Sequence, residues 1–205
     1  MKTVAISQRV DAYPDRGEVR DALDQKLANL ISMAGFLPLP VPNEIAMCKR
    51  SDAKELSGLK VWLSEIKPNV ILLSGGNNVG DCKPRDATET GLCEFAELNR
   101  LPVLGICRGM QMMGVLDGGT MTSVEGHVLS QHKLSGEIVG TVNSYHDYSL
   151  AECPKSYRPL AFSEDGELEA MRHCQLPWEG WMWHPEREDE FQARDIDRMR
   201  ELFKS

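Results

Sequence analysis

The sequence has no apolar run approaching the roughly 18 residues that a membrane-spanning helix needs, and its mean hydropathy is −0.34. A membrane segment is therefore not expected. The opening residues, MKTVAISQRV, carry one lysine and a short apolar stretch broken by Ser7 and Gln8. That is too short and too polar for a signal-peptide core and reads better as a first strand, so the expected location is cytoplasmic. A cationic stripe is also missing. Net charge is −8 with Lys and Arg scattered, and phosphate backbones demand clustered cations, so a nucleic-acid partner is not expected. A small anionic ligand stays open, because a pocket needs only two or three local cations. Cys48, Cys82, Cys93, Cys107, Cys153 and Cys174 form no C-x-x-C pair and no zinc-like pairing with histidine, as suits reduced thiols. Internal repeats, low-complexity segments and linkers are absent too. Residues 1–205 accordingly read as one domain, compatible with a homo-oligomer.

What is present alternates between two periodicities. Residues 3–7, 69–74 and 101–106 are apolar runs bounded by turn residues, as in strands buried on both faces. Between the first two, residues 17–34 space Val19, Leu23, Leu27, Leu30 and Ile31 as a helix, with Gly35 as its stop. Residues 36–43 read as a Pro-interrupted edge strand, and 51–67 and 88–99 as helices. This order predicts an α/β fold with a doubly wound, flavodoxin-like, mostly parallel sheet. From about 118 to 182 the texture shifts to short β-like runs (138–142, 159–163, 168–172, 180–183) with a hairpin turn at Asp165-Gly166. An antiparallel extension is expected there, followed by an amphipathic helix over 189–204.

Chemistry concentrates at three places. Gly105-Ile106-Cys107-Arg108-Gly109 closes an apolar strand and opens a helix over 108–115, the pattern of a nucleophile elbow. Glycines are needed where side chains would crowd the tight turn, and the exposed amides of a helix start favour a thiolate. An isolated cysteine at a helix start is more often a buried structural thiol; the elbow and its partners reverse that balance. Trp183-His184-Pro185-Glu186 follows a short strand. Residues i and i+2 of an extended segment share a side, so His184 and Glu186 can serve as base and orienting carboxylate. Taken alone, they read equally as a strand-end histidine and part of the acidic run 186–190. Ser74-Gly75-Gly76-Asn77 after the second buried strand lets the backbone approach a ligand and aim an amide at it, although a plain turn is about as good a reading.

The order SGG, GICRGMQ, NSYH and WHPE resembles the class I glutamine amidotransferase family, and within it the free-standing γ-glutamyl hydrolases. The likeness extends from the first strand to Glu186. It implies Cys107 as nucleophile, His184 as general base and acid, and Glu186 as its orienting group, with the backbone amides of Gly76 and Arg108 forming an oxyanion hole. It implies contacts to a γ-glutamyl amide substrate from Gly75, Gln111, Asn143, Ser144, Tyr145 and His146, and it calls for no metal or organic cofactor. ISQRV, RDALDQKL and MWHPERED are similar to γ-glutamyl-CDP-amidate hydrolases of the bacterial cytidine diphosphoramidate pathway. A nucleotide leaving group needs cations, for which Arg9, Arg108 and Lys83 or Arg85 are candidates; the last two read equally well as solvated. Two rivals remain, a glutaminase subunit supplying ammonia to a separate synthase and a non-enzymatic thiol sensor. A pure sensor need keep only the thiol. His127, His132 and His173 lie in polar turns and are expected at the surface. Met110, Met112 and Met113 are expected to pack, as are Trp178, Trp181 and Trp183, with either of the last two an alternative pocket wall.

Overall fold

The computed structural model describes residues 1–48 and 57–204. It begins with β1 (Thr3–Ile6), β2 (Arg9–Tyr13) and β3 (Glu18–Ala22), then α1 (Gln25–Met33), β4 (Leu37–Pro40), α2 (Gly58–Ile66) and β5 (Val70–Leu73). Next come α3 (Lys83–Asn99), β6 (Val103–Ile106) and α4 (Arg108–Leu116). The remainder is mostly β: β7 (Met121–Ser123), β8 (Val128–Gly136), β9 (Gly140–Tyr145), β10 (Tyr148–Leu150), β11 (Tyr157–Phe162), β12 (Leu168–His173) and β13 (Trp178–Trp181). Helix α5 (Ala193–Lys204) ends the described chain.

Nine strands form one sheet in the order β4-β1-β5-β6-β13-β12-β11-β8-β9. The first five run parallel and the last four are added antiparallel. The parallel half has the flavodoxin order, with the first strand inside the second. Alternation along each parallel strand splits the core in two. Val4, Ile6, Val70, Leu72, Leu104 and Ile106 pack against α1 and α5. Ala5, Ile71, Leu73 and Val103 face the other way, onto α2, α3 and α4. The doubly wound sheet with its antiparallel extension is thus as the sequence predicts.

Register sets the position of the site. Leu73 pairs with Gly105, and Ile106 with Trp181, so β5, β6 and β13 end together. The amide of Cys107 donates to the carbonyl of Trp181 at 2.6 Å. The loops 74–77 and 182–186 and the start of α4 therefore open at one carboxyl edge, where ligands of open α/β sheets bind.

Several element boundaries are corrected. Residues 18–22, expected to begin a helix, are β3, paired antiparallel with β2, and Val19 is 71% exposed. Pro14-Asp15-Arg16-Gly17 is a tight turn ending on Gly17 at φ 63°, so the chain doubles back before the helix begins. Asp24 is the true cap of α1, its side chain accepting from the Lys26 amide at 2.8 Å, a contact worth about 1 kcal/mol. Helix α3 starts five residues earlier than expected, with Pro84 in its first turn. The expected helix over 51–67 is α2 from Gly58 on; 51–56 lie outside the described residues. Strand β8 was not legible, because most of its side chains face solvent. Among the described residues no helix is long and apolar enough to cross a membrane.

Candidate active site

Cys107 sits between β6 and α4 at φ 50° and ψ −106°, a strained conformation for a non-glycine residue, and is 7% exposed. Its flanking glycines are obligatory. A Cβ on Gly105 would lie 2.7 Å from the Met110 amide nitrogen, and one on Gly109 would be 2.7 Å from the Leu73 Cβ. Arg108 opens α4, so its N–H belongs to the first turn, where amides have no intrahelical acceptor.

His184 leaves β13 at the same edge. Its Nδ1 lies 2.6 Å from Glu186 Oε1, and its ring also hydrogen-bonds Cys107. Burial pulls the imidazole pKa down, but the bonds to Cys107 and Glu186 outweigh it and raise the value to about 9. A protonated His184 beside the sulfur stabilises a thiolate. Asn143 clamps the His184 backbone from β9: its Oδ1 accepts from the His184 amide at 2.9 Å and its Nδ2 donates to the His184 carbonyl at 2.8 Å. Gly75 lies against the imidazole, where a Cβ would come within 3.3 Å of both ring nitrogens.

Beneath the Gly75-Gly76 loop is a buried ionic cluster. Glu89 accepts from Ser7 Oγ at 2.7 Å and Arg85 Nε at 3.1 Å, and pairs with Arg108, which also pairs with Asp86. Burial lowers the Arg85 guanidinium to about 10; burial and then the neighbouring Arg85 lower Arg108 to about 9, so both stay cationic at neutral pH. Arg85 Nη2 donates to the carbonyls of Ser74 (2.7 Å) and Gly75 (2.9 Å). In a trans peptide the C=O and N–H point oppositely, so holding the Gly75 carbonyl on Arg85 turns the Gly76 amide the other way. Gly76 itself has φ 131°, and a Cβ there would lie 2.7 Å from that of Arg9. Arg85 and Arg108 are corrected as candidates for a diphosphate: both side chains are used up inside the fold.

A cavity of about 210 Å³ opens beside the imidazole, walled by Gly75, Gly76, His184, Glu186, Leu23, Asp24, Arg9 and Arg187. Arg9 is half exposed and pairs with Asp11 at 2.8 Å. Arg187 stacks its guanidinium 4.5 Å over the Tyr145 ring, which itself meets His184 edge-on at 5.6 Å. Arg187 escaped sequence reading, although it stands only three residues after His184 at the end of WHPER. Lys83 is exposed at the head of α3 and does not line this cavity.

Three of the four side chains at 143–146 do different work from the ligand contact the resemblance implies. Asn143 holds His184 and Glu188; Ser144 Oγ donates to the His127 carbonyl at 2.6 Å; His146 turns into a buried cluster with His127, His132 and Glu169. Their polar groups find protein partners because β9 is sandwiched between the site and that cluster. Gln111 is buried with Nε2 donating to the Tyr148 carbonyl at 2.9 Å. His127 is 1% exposed and His132 only partly exposed, both against expectation, while His173 is also only half-buried. Trp181 and Trp183 stack at 5.3 Å within the core and do not reach the cavity, and Met110, Met112 and Met113 are buried packing residues.

The glutamine amidotransferase class I family model matches residues 19–196. The chain is 30% identical over 196 residues to the gamma-glutamyl-CDP-amidate hydrolase of Campylobacter jejuni, covering 91% of this chain and 90% of that one. It is 33% identical over 131 residues to the glutamine-hydrolysing component of the GMP synthase of Methanosarcina barkeri, covering 58% of this chain and 65% of that one. A crystal structure of a Thermoplasma acidophilum protein assigned as a GMP synthase component superposes with a TM-score of 0.72 at 17% identity, covering 100% of this chain and 93% of that one, which is a likeness of fold. With a family model spanning most of its length and a relative alike along nearly all of it, the chain belongs to the class I glutamine amidotransferase family.

Proposed function

We propose that this chain hydrolyses a γ-glutamyl amide through a thioester on Cys107, and that its substrate is γ-glutamyl-CDP-amidate. The observation that carries the reading is one imidazole, His184, hydrogen-bonded on one side to Cys107 and on the other to Glu186. The Cys107 thiolate attacks the γ-carbonyl carbon, and the resulting oxyanion is held by the amides of Gly76 and Arg108. His184 gives its proton to the departing nitrogen as the C–N bond breaks, and Glu186 keeps the ring oriented. Water, deprotonated by His184, then attacks the thioester carbon, releasing glutamate and restoring the thiol. No step calls for a metal. The finer assignment is supported by the likeness to the Campylobacter jejuni hydrolase and by Arg9 and Arg187 flanking the imidazole on the leaving-group side. Two guanidinium groups suit a diphosphate and have no counterpart in free glutamine.

The test is mass spectrometry of products, with kcat/KM compared for γ-glutamyl-CDP-amidate and glutamine on the purified chain alone. The expected result is glutamate plus cytidine diphosphoramidate and a preference of tenfold or more, about 1.4 kcal/mol of transition-state binding. A smaller preference removes the nucleotide assignment. Glutaminase activity arising only with an added synthase would replace it with ammonia supply.

A further inference from the structure

We infer that His127, His132, His146 and Glu169 form a divalent-metal site of the structural zinc type, separate from the catalytic centre. One ligand atom from each lies within 4.8 Å of every other. His127 Nδ1 and His146 Nε2 are 3.4 Å apart. Glu169 Oε1 is 3.5 Å from His146 Nε2, 3.7 Å from His127 Nδ1 and 4.0 Å from His132 Nε2. Nitrogen and oxygen ligands about 2.0–2.1 Å from a tetrahedral zinc ion stand roughly 3.3–3.4 Å from each other. The cluster needs only slight contraction to reach that spacing.

The outer hydrogen bonds aim the lone pairs inward. His127 Nε2 is 2.8 Å from Asp165 Oδ2, a carboxylate that can only accept, so the ring proton sits on Nε2 and Nδ1 is left bare. His146 Nδ1 is 3.1 Å from the Tyr148 carbonyl, which likewise takes that ring's proton outward and leaves Nε2 bare. Two bare nitrogens then face each other, an arrangement that repels unless a cation lies between them. Such carboxylate and carbonyl partners are the ordinary outer support of metal-bound histidine. Glu169 is fully buried, and neither of its oxygens has a hydrogen-bond partner; His132 Nε2 lacks one too. A buried carboxylate without donors is expensive, and an ion would satisfy all these atoms at once.

The backbone also bends to assemble the cluster. His127 and His132 are five residues apart and would face opposite sides of a regular strand. Leu129 adopts φ 55°, and the register with β9 slips between Val128 and Ser130. This bulge brings the two rings to 4.0 Å. Three imidazoles and a carboxylate are a donor set that favours zinc over calcium or magnesium. Four protein ligands complete a closed tetrahedron, so the ion works mechanically, fastening the β8–β9 hairpin to β12. The Tyr148 carbonyl receives both His146 Nδ1 and Gln111 Nε2, linking this fastening to α4.

The experiment uses untagged full chain purified without chelators. Elemental analysis should find about one zinc per chain. After stripping, added zinc should raise the melting temperature, and cobalt(II) should give the intense visible bands of a tetrahedral site. Glu169→Gln and His132→Ala should lose metal. Asp165→Ala, which removes an exposed outer support, should keep the fold and bind zinc roughly 10–100-fold more weakly. Less than a tenth of an equivalent after zinc loading, with no cobalt bands, would show a proton-sharing histidine network and overturn the site. Unchanged affinity in folded Asp165→Ala and His132→Ala would place the ion elsewhere and overturn it equally.

Discussion

Arg85 donates through Nη2 to the carbonyl of Gly75 at 2.9 Å, and so decides which way the next amide, that of Gly76, points. Replacing Arg85 by Lys keeps the charge near Glu89 but loses the fork that grips two carbonyls and Asn77 together. The expected outcome is a folded protein with kcat lowered about 10²-fold, the scale of one lost oxyanion donor, and KM little changed. Arg85→Met should also destabilise the fold by roughly 3–5 kcal/mol, because a buried ion pair is broken. Steady-state kinetics and urea titration of both variants check this; a normal kcat in Arg85→Lys would remove its positioning role.

Gly75 carries no side chain where the imidazole lies. Gly75→Ala should displace His184 and depress kcat by about 10²-fold or more, as a misplacement near 1 Å does. Circular dichroism should be unchanged, since the loop lies at the surface end of the sheet.

Cys107→Ala should lower turnover by about 10⁶, the scale of removing a triad nucleophile. A γ-glutamyl electrophile should add to Cys107 in the native protein. Peptide mapping of the adduct checks the assignment, and modification at Cys82 or Cys93 would contradict it.

The pKa of His184, raised to about 9, defines an alkaline limit. A group held above its unfolded value contributes stability that is complete below about pH 6.5 and lost as pH rises through about 9. Activity that needs the imidazolium should fall across the same upper limb. Glu186→Gln removes one of the groups holding the proton, so its alkaline limb should move to lower pH. A pH profile of kcat/KM for both proteins tests the sign, and an unmoved limb would uncouple Glu186 from His184.

Arg9 and Arg187 border the cavity from opposite sides of the imidazole. Each change to Ala should reduce kcat/KM for the nucleotide-linked amide about tenfold while leaving glutamine turnover within twofold, since remote contacts act on the substrate that owns them. Equal losses for both substrates would mean that the two arginines shape the site without reading the leaving group.

Local order was enough to predict the parallel core, the elbow at Cys107 and the pairing of His184 with Glu186. Each depends on neighbours in sequence: apolar runs bounded by turns, glycines two residues from a cysteine, and an i, i+2 spacing at a strand end. Tertiary structure decided the rest, because those features depend on partners far along the chain. The register of β6 on β13 sets His184 beside Cys107 across 77 residues of separation, and nothing local encodes it. Arg85 reads as a loop cation until α3 begins at Lys83 and turns its side chain onto Glu89 and Gly75. His127, His132 and His146 look like surface turn residues until β12 brings the buried Glu169 between them. A charged or polar side chain has no fixed meaning in one dimension, since the cost of burying it is met only by groups that folding delivers.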